Sequence, residues 1–207
     1  DSLIQKWIKQ NTPGCGNGWE PYPSSLRIVN WIKWSLLGAD IKQDWHDSLA
    51  VQVRYLSQNL EYHILGNHLF SNAKALIYAG LYFQGIEAEK WYKTGITIFN
   101  KELQEQVLPD GGNFELSPMY HAIFLEDLLD IFNIHQAFNK QFPYDITNKI
   151  TSMFDWLRAM CHPDGELSFF NDSAIGIAPN LTELDGYAER LKIPLSKKND
   201  ELTHLCD

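Results

Sequence analysis

Two dipeptides, Asn67-His68 and Tyr120-His121, hold the residue types that move protons on and around an anionic substrate. An amide can hydrogen-bond an anion, an imidazole exchanges a proton near neutral pH, and a phenol can also take part in proton transfer. The dipeptides stand in LEYHILGNHLFSNAKAL (60–76) and DGGNFELSPMYHAIFLEDL (110–128), each where a helical pattern begins. A helix start carries partial positive charge, which favours an anion there. Successive helical residues point roughly 100° apart, so Tyr120 and His121 are not expected to face the same atom. Plainer uses compete: Asn67 as a helix cap, His68 as a satisfied interior histidine, Tyr120 as a core aromatic. His63 and Glu61, just upstream of the first pair, are expected to contribute packing or hydrogen bonds.

The elements that must position these residues read as helical almost throughout. Apolar residues recur every three or four positions: Leu26, Val29, Ile32 and Leu36; Met119, Ile123, Leu128 and Ile131; Ile150, Met153, Leu157 and Met160. The pattern predicts helices at 2–10, 23–37, 43–60, 68–83, 87–107, 118–135, 145–161 and 181–191. Gly38, Gly85 and Pro109-Asp110-Gly111-Gly112 supply stops, and Ser117 can cap a helix whose first turn holds Pro118. HPDGELSFFND (162–172) reads as a turn followed by a short strand or extended segment. Helices joined by short connections run antiparallel, so every second helix starts at the same end. By that argument the helices at 68–83 and 118–135 can bring Asn67, His68, Tyr120 and His121 together. The fold class is all-α, and 207 residues with 44% hydrophobic content suffice for a sizeable core.

Composition narrows the chemistry. The formal charge is −9 with no run of Lys and Arg, so nucleic acid is not an expected partner. No apolar run reaches membrane-spanning length, and membrane insertion is not expected. Cys15, Cys161 and Cys206 are odd in number and widely spaced, which suits incidental thiols better than a disulfide framework. No metal-ligand spacing, GxSxG elbow, P-loop or GxGxxG occurs, so neither a metal nor another cofactor is expected. Aromatic residues make up 13%, and such a surplus either fills a core or stacks on sugar rings. The densest group is WEPYPSSLRIVNWIKW (19–34), where Trp19, Tyr22, Trp31 and Trp34 offer flat faces and Arg27 a clamp for a carboxylate or sulfate. The alternative is that Trp31 and Trp34 pack inside and Arg27 forms an internal ion pair.

WEPYPSSLRIVNWIKW, LGNH, GGNFELSPMYH and HPDGELSFFND, in that order, resemble the heparinase II/III-like polysaccharide lyases, over about residues 19–175. The resemblance implies an incomplete (α/α) toroid of antiparallel helical hairpins, residues 1–207 forming one such domain. It further implies a C-terminal antiparallel β-sandwich in the same protein, and a periplasmic or secreted bacterial location. The chain has no starting Met or signal peptide and closes at HLCD (204–207), so it is expected to be a processed product or an excised domain. The implied activity is β-elimination on uronate-containing, acidic and sometimes sulfated polysaccharide, with no cofactor. Asn67 then matches the asparagine that neutralises the uronate carboxylate, and His68 the adjacent histidine that assists there or in proton abstraction. Tyr120 matches the tyrosine that protonates the leaving glycosidic oxygen and in some members also acts as base. Trp19, Tyr22, Arg27, Trp31, Glu115, Asn171 and Asp172 fall in the same motifs as candidate substrate contacts, and His121 acquires no role.

Two other functions fit some of the same residues. A glycoside hydrolase on a similar scaffold needs two acids across the scissile bond, and Glu115 with Asp172 is the pair to nominate. A non-catalytic carbohydrate-binding or polysaccharide-assembly module would rely on 19–34 instead.

Overall fold

A computed structural model describes residues 2–64 and 66–195; Cys206 and the terminal HLCD lie outside the described residues. The described residues form eight α-helices: α1 (Ser2–Gln10), α2 (Pro21–Leu36), α3 (Gln43–Gln58), α4 (Asn67–Tyr82), α5 (Ile86–Gln106), α6 (Pro118–Ala137), α7 (Thr147–Ala159) and α8 (Leu181–Arg190). A 3-10 turn at Asn17–Trp19 precedes α2. Among the described residues there is no strand, only two isolated antiparallel bridges, Val107 with Asn113 and Cys161 with Leu167. The second closes the turn expected in 162–172, and no strand follows it among the described residues. His162 N–H donates to Glu166 O, while Asp164 Oδ1 takes the Glu166 N–H, closing a tight turn at Gly165. Cys15 and Cys161 are free thiols.

The chain divides into two compact units, Asp1–Glu102 and Leu103–Asp207. In the first, side-chain pairs give the helix directions. Arg27 meets Gln52 and Trp34 meets Trp45, so α2 and α3 are antiparallel. Tyr22 meets His68, Ser25 meets Asn72 and Ser35 meets Tyr82, so α2 and α4 run parallel. Their starts therefore share one end, the alternation expected of short connections. The α4 helix is buried along most of its length, with Phe70, Ala73, Ala75, Leu76, Ile77 and Ala79 fully enclosed. Two glycines let α5 lie close against it. A Cβ on Gly80 would come within 2.6 Å of the Tyr92 backbone, and one on Gly95 within 2.9 Å of Ala73 O.

In the second unit α6 is the buried element. Leu125, Leu128, Leu129 and Ile131 are wholly covered, as are Ile150, Met153, Phe154 and Leu157 of α7. Tyr187 of α8 donates to Asp130 Oδ1 at 2.9 Å and accepts from Asn133 at 2.9 Å, tying α8 to α6. Burial, with Asp130 beside it, pushes the Tyr187 phenol far above its usual range. It stays a neutral donor at any ordinary pH.

Candidate functional site

In the first unit, α4 begins one residue earlier than the capping reading requires. Gly66, at φ 93°, is the N-cap, and Asn67 is the first helical residue. The Asn67 side chain caps nothing and bonds to no described residue, so its amide is unspent. His68 is held from two sides. Its Nδ1 lies 3.0 Å from Glu61 Oε1, and its ring stacks on Tyr22 at 4.4 Å between centroids, 21° from parallel. Glu61 is buried, and the imidazole keeps about a third of its surface in solvent.

Below His68 runs a chain of polar groups. Asn72 Nδ2 donates to Glu61 Oε2 and to Ser25 Oγ, each at 3.0 Å, and Asn72 Oδ1 accepts the Glu61 N–H at 3.0 Å. Ser25 Oγ in turn donates to Pro21 O at 2.9 Å. Sequence reasoning overlooked Asn72 and Ser25. The available signal was a polar pair, Ser71-Asn72, inside an otherwise apolar helix pattern.

The aromatic segment divides. Trp19 is 2% exposed and packs between Trp7 and Tyr55, with Nε1 toward Asn11 O. The sugar-stacking role expected of it is thereby corrected, because the 3-10 turn carries the ring inward and both faces are covered. Trp31 is half-buried and edge-on to Trp7. Among the described residues Arg27 makes no ion pair. It bonds the neutral Gln52 Oε1 at 2.7 Å and Ser24 Oγ at 3.1 Å, and lies 3.9 Å over the Trp7 ring. Burial lowers its pKa to about 10, so it remains a cation at neutral pH. Two of its three nitrogens bond to protein, and Nη1 bonds to no described residue.

In the second unit two loops meet. Ser117 caps α6 as expected, its Oγ taking the Tyr120 N–H, with Pro118 in the first turn. Ser173 Oγ lies 3.1 Å from Ser117 Oγ and takes the Met119 N–H, while Asn171 Nδ2 reaches Leu116 O at 3.3 Å. Leu116, Asn171 and Asp172 all have positive φ, the form tight loops take. Burial and the charge of Asp172 both raise the Glu115 carboxyl above its ordinary range. Tyr120 is half-buried, and its hydroxyl bonds to no described residue.

His121 faces elsewhere. It is fully buried, stacks on Trp156, accepts the Asn113 N–H at Nδ1 and donates from Nε2 to Met153 O. It fastens the 113–117 loop to α7 as a neutral ring. Burial holds its pKa down at about 4, against an ordinary 6.5. Between those values the unfolded chain takes a proton that the folded chain refuses, so stability present above pH 6.5 is lost as pH falls toward 4. The loss approaches roughly 3 kcal/mol, and His135, also lowered by burial, acts in the same direction. Urea midpoints should therefore drop steadily between pH 7 and 5; a flat profile there would contradict this account of His121.

Residues 35–190 match the family described as heparinase II/III N-terminus. A heparin-sulfate lyase of Pedobacter heparinus is 33% identical over 184 residues, which cover 82% of this chain and 28% of the relative. One from Bacteroides stercoris is 36% identical over 117 residues, 55% of this chain and 18% of that protein. A crystal structure of heparinase III superimposes with a TM-score of 0.76 at 23% identity, covering 93% of this chain and 32% of that one. A heparan sulfate lyase structure from Pedobacter heparinus gives 0.69 at 23% identity, covering 92% and 32%. The shared fold is the incomplete (α/α) toroid of helical hairpins that the motifs implied. The chain spans less than a third of the length of these relatives.

Proposed function

The chain belongs to the heparinase II/III N-terminus family, and from that membership we propose that it is the helical catalytic part of a polysaccharide lyase acting on uronate-containing chains. The observation that carries the reading is the state of Asn67 and His68. An amide that bonds to no described residue stands beside an imidazole oriented by a buried carboxylate, at the start of a helix.

In β-elimination the proton on the carbon α to the carboxylate is removed, and the bond from the β carbon to the glycosidic oxygen breaks. A carbon–carbon double bond forms, and the leaving oxygen takes up a proton. The proton is weakly acidic because its removal drives a second negative charge onto the carboxylate. Donors already aimed at that group stabilise the charge as it develops, commonly the largest single catalytic contribution. Asn67 and His68 supply them. Tyr120 is the acid that protonates the leaving oxygen, and acts as base where a cation lowers its pKa. Arg27 Nη1 and the face of Trp31 hold neighbouring sugar units, as do Glu115, Asn171 and Asp172; Tyr22 fixes the His68 ring.

Because the relatives are heparin-sulfate lyases, heparan sulfate is the first substrate to supply, followed by other uronate polymers such as alginate. The full-length protein should raise ultraviolet absorbance as unsaturated ends accumulate. No rise with any polymer in the panel would sink the proposal. Saturated products would point instead to hydrolysis by Glu115 and Asp172, and binding without turnover to a carbohydrate-binding module.

A further inference from the structure

We infer that Glu61 is a positioning residue that fixes His68 as its Nδ1–H tautomer, through a hydrogen-bond chain whose direction is set by Asn72. The use of that tautomer rests on the lyase reading; the tautomer itself does not.

The direction follows from groups that have no choice. The backbone N–H of Glu61 can only donate, and it points at Asn72 Oδ1. That settles which way the Asn72 amide faces. At the far end Pro21 O can only accept, and it takes the Ser25 hydroxyl proton. Ser25 Oγ is left as an acceptor for Asn72. The two Asn72 Nδ2 protons therefore go to Ser25 Oγ and Glu61 Oε2. Asn72 is fully buried and Glu61 nearly so, which leaves water little room to substitute for any link. The remaining Glu61 oxygen, Oε1, faces His68 Nδ1. An ionised carboxylate only accepts, so Nδ1 carries the proton. Nε2 bonds to no described residue, and the ring, about a third exposed, stacks on Tyr22. The neutral ring thus offers a lone pair at Nε2, and the cation offers an N–H at the same place.

Glu61→Gln inverts this arrangement while nearly conserving volume. Asn72 still needs an acceptor, so the new amide turns its oxygen to Asn72 and its NH₂ to His68. Nδ1 must then accept, and the neutral ring moves to the Nε2–H form. Nitrogen-15 chemical shifts of the ring, recorded above its titration and assigned through His68→Gln, read the tautomer directly. The expected result is Nδ1–H in the unaltered protein and Nε2–H in Glu61→Gln. An Nε2–H ring in the unaltered protein overturns the inference. An unchanged tautomer in a folded Glu61→Gln overturns it as well.

In turnover, Glu61→Gln should lower kcat by more than ~10-fold and toward the ~10⁴-fold that a wrong histidine tautomer costs a serine protease, with KM changing much less. A tautomer switch in a protein that cleaves no uronate polymer upholds the role of Glu61 and overturns the lyase reading alone. Full kcat in a variant whose tautomer has switched upholds the hydrogen-bond chain and overturns its catalytic use.

Discussion

Tyr120→Phe lowers turnover on a uronate polymer by roughly 10²–10⁴-fold, the share general acid–base catalysis usually contributes, and leaves the fold in place. The two halves of this expectation rest on different observations. The structural half follows from the hydroxyl, which bonds to no described residue, while the ring sits half-buried on the first turn of α6. Removing one unbonded oxygen leaves the ring's packing, the Ser117 cap and the loop contacts through Ser173 as they were. Such a change stays within about 0.5 kcal/mol. The catalytic half follows from the chemistry, since phenylalanine can neither deliver a proton to the leaving oxygen nor take one. The loss should fall on kcat and on kcat/KM alike, because the proton moves only as the bond breaks. Steady-state kinetics and a thermal melt on the same preparation check both halves. Turnover equal to that of the unaltered protein would remove Tyr120 from the proposed mechanism.

Residue types and periodicity were enough to mark out the eight helices of the described residues to within a few residues, because apolar residues recur at helical spacing and most of the ends lie near Gly or Pro. The start of α6 was legible for a local reason: a Ser117 cap and a Pro118 first turn act within a few residues of chain. The start of α4 was misread by one position. That single residue decides whether the Asn67 amide is consumed by the backbone or left for a ligand. The support of His68 was harder to see, because it comes from three segments distant in sequence. Tyr22 reaches it only since α2 and α4 run parallel, and Glu61 only since the chain before α4 folds back on Asn72. Trp19 looked like a stacking face on composition, and its burial depends on a 3-10 turn with no strong sequence mark. Asn67 and His68 belong to the first unit and Tyr120 to the second.

Gly111→Ala should be the most damaging methyl group that can be added near the Tyr120 motif. Gly111 has φ 91°, a conformation that costs an L-residue about 1–2 kcal/mol. Its new Cβ would also lie 2.3 Å from Ser152 O and 2.5 Å from Ser152 C, backbone atoms of α7 that no side-chain rotation can move aside. Overpacking of that kind adds roughly 1–3 kcal/mol. The turn is otherwise closed on itself, with Gly111 N–H on Leu108 O, Leu108 N–H on Gly112 O and Gly112 N–H on Asp110 Oδ1. Relief must come from pushing the whole loop off α7, against the His121 bonds to Asn113 and Met153. Gly85→Ala is the matched control. Its φ is 96°, and nothing lies within 4 Å of the added carbon, so it bears the backbone cost alone. For a chain of this size a loss of 1 kcal/mol lowers Tm by about 2–4 °C. Gly111→Ala should then fall by roughly 10 °C and Gly85→Ala by only a few. The difference between the two variants isolates the contact with α7 from the strain of the backbone. Equal shifts would mean that the 110–113 turn does not press on α7.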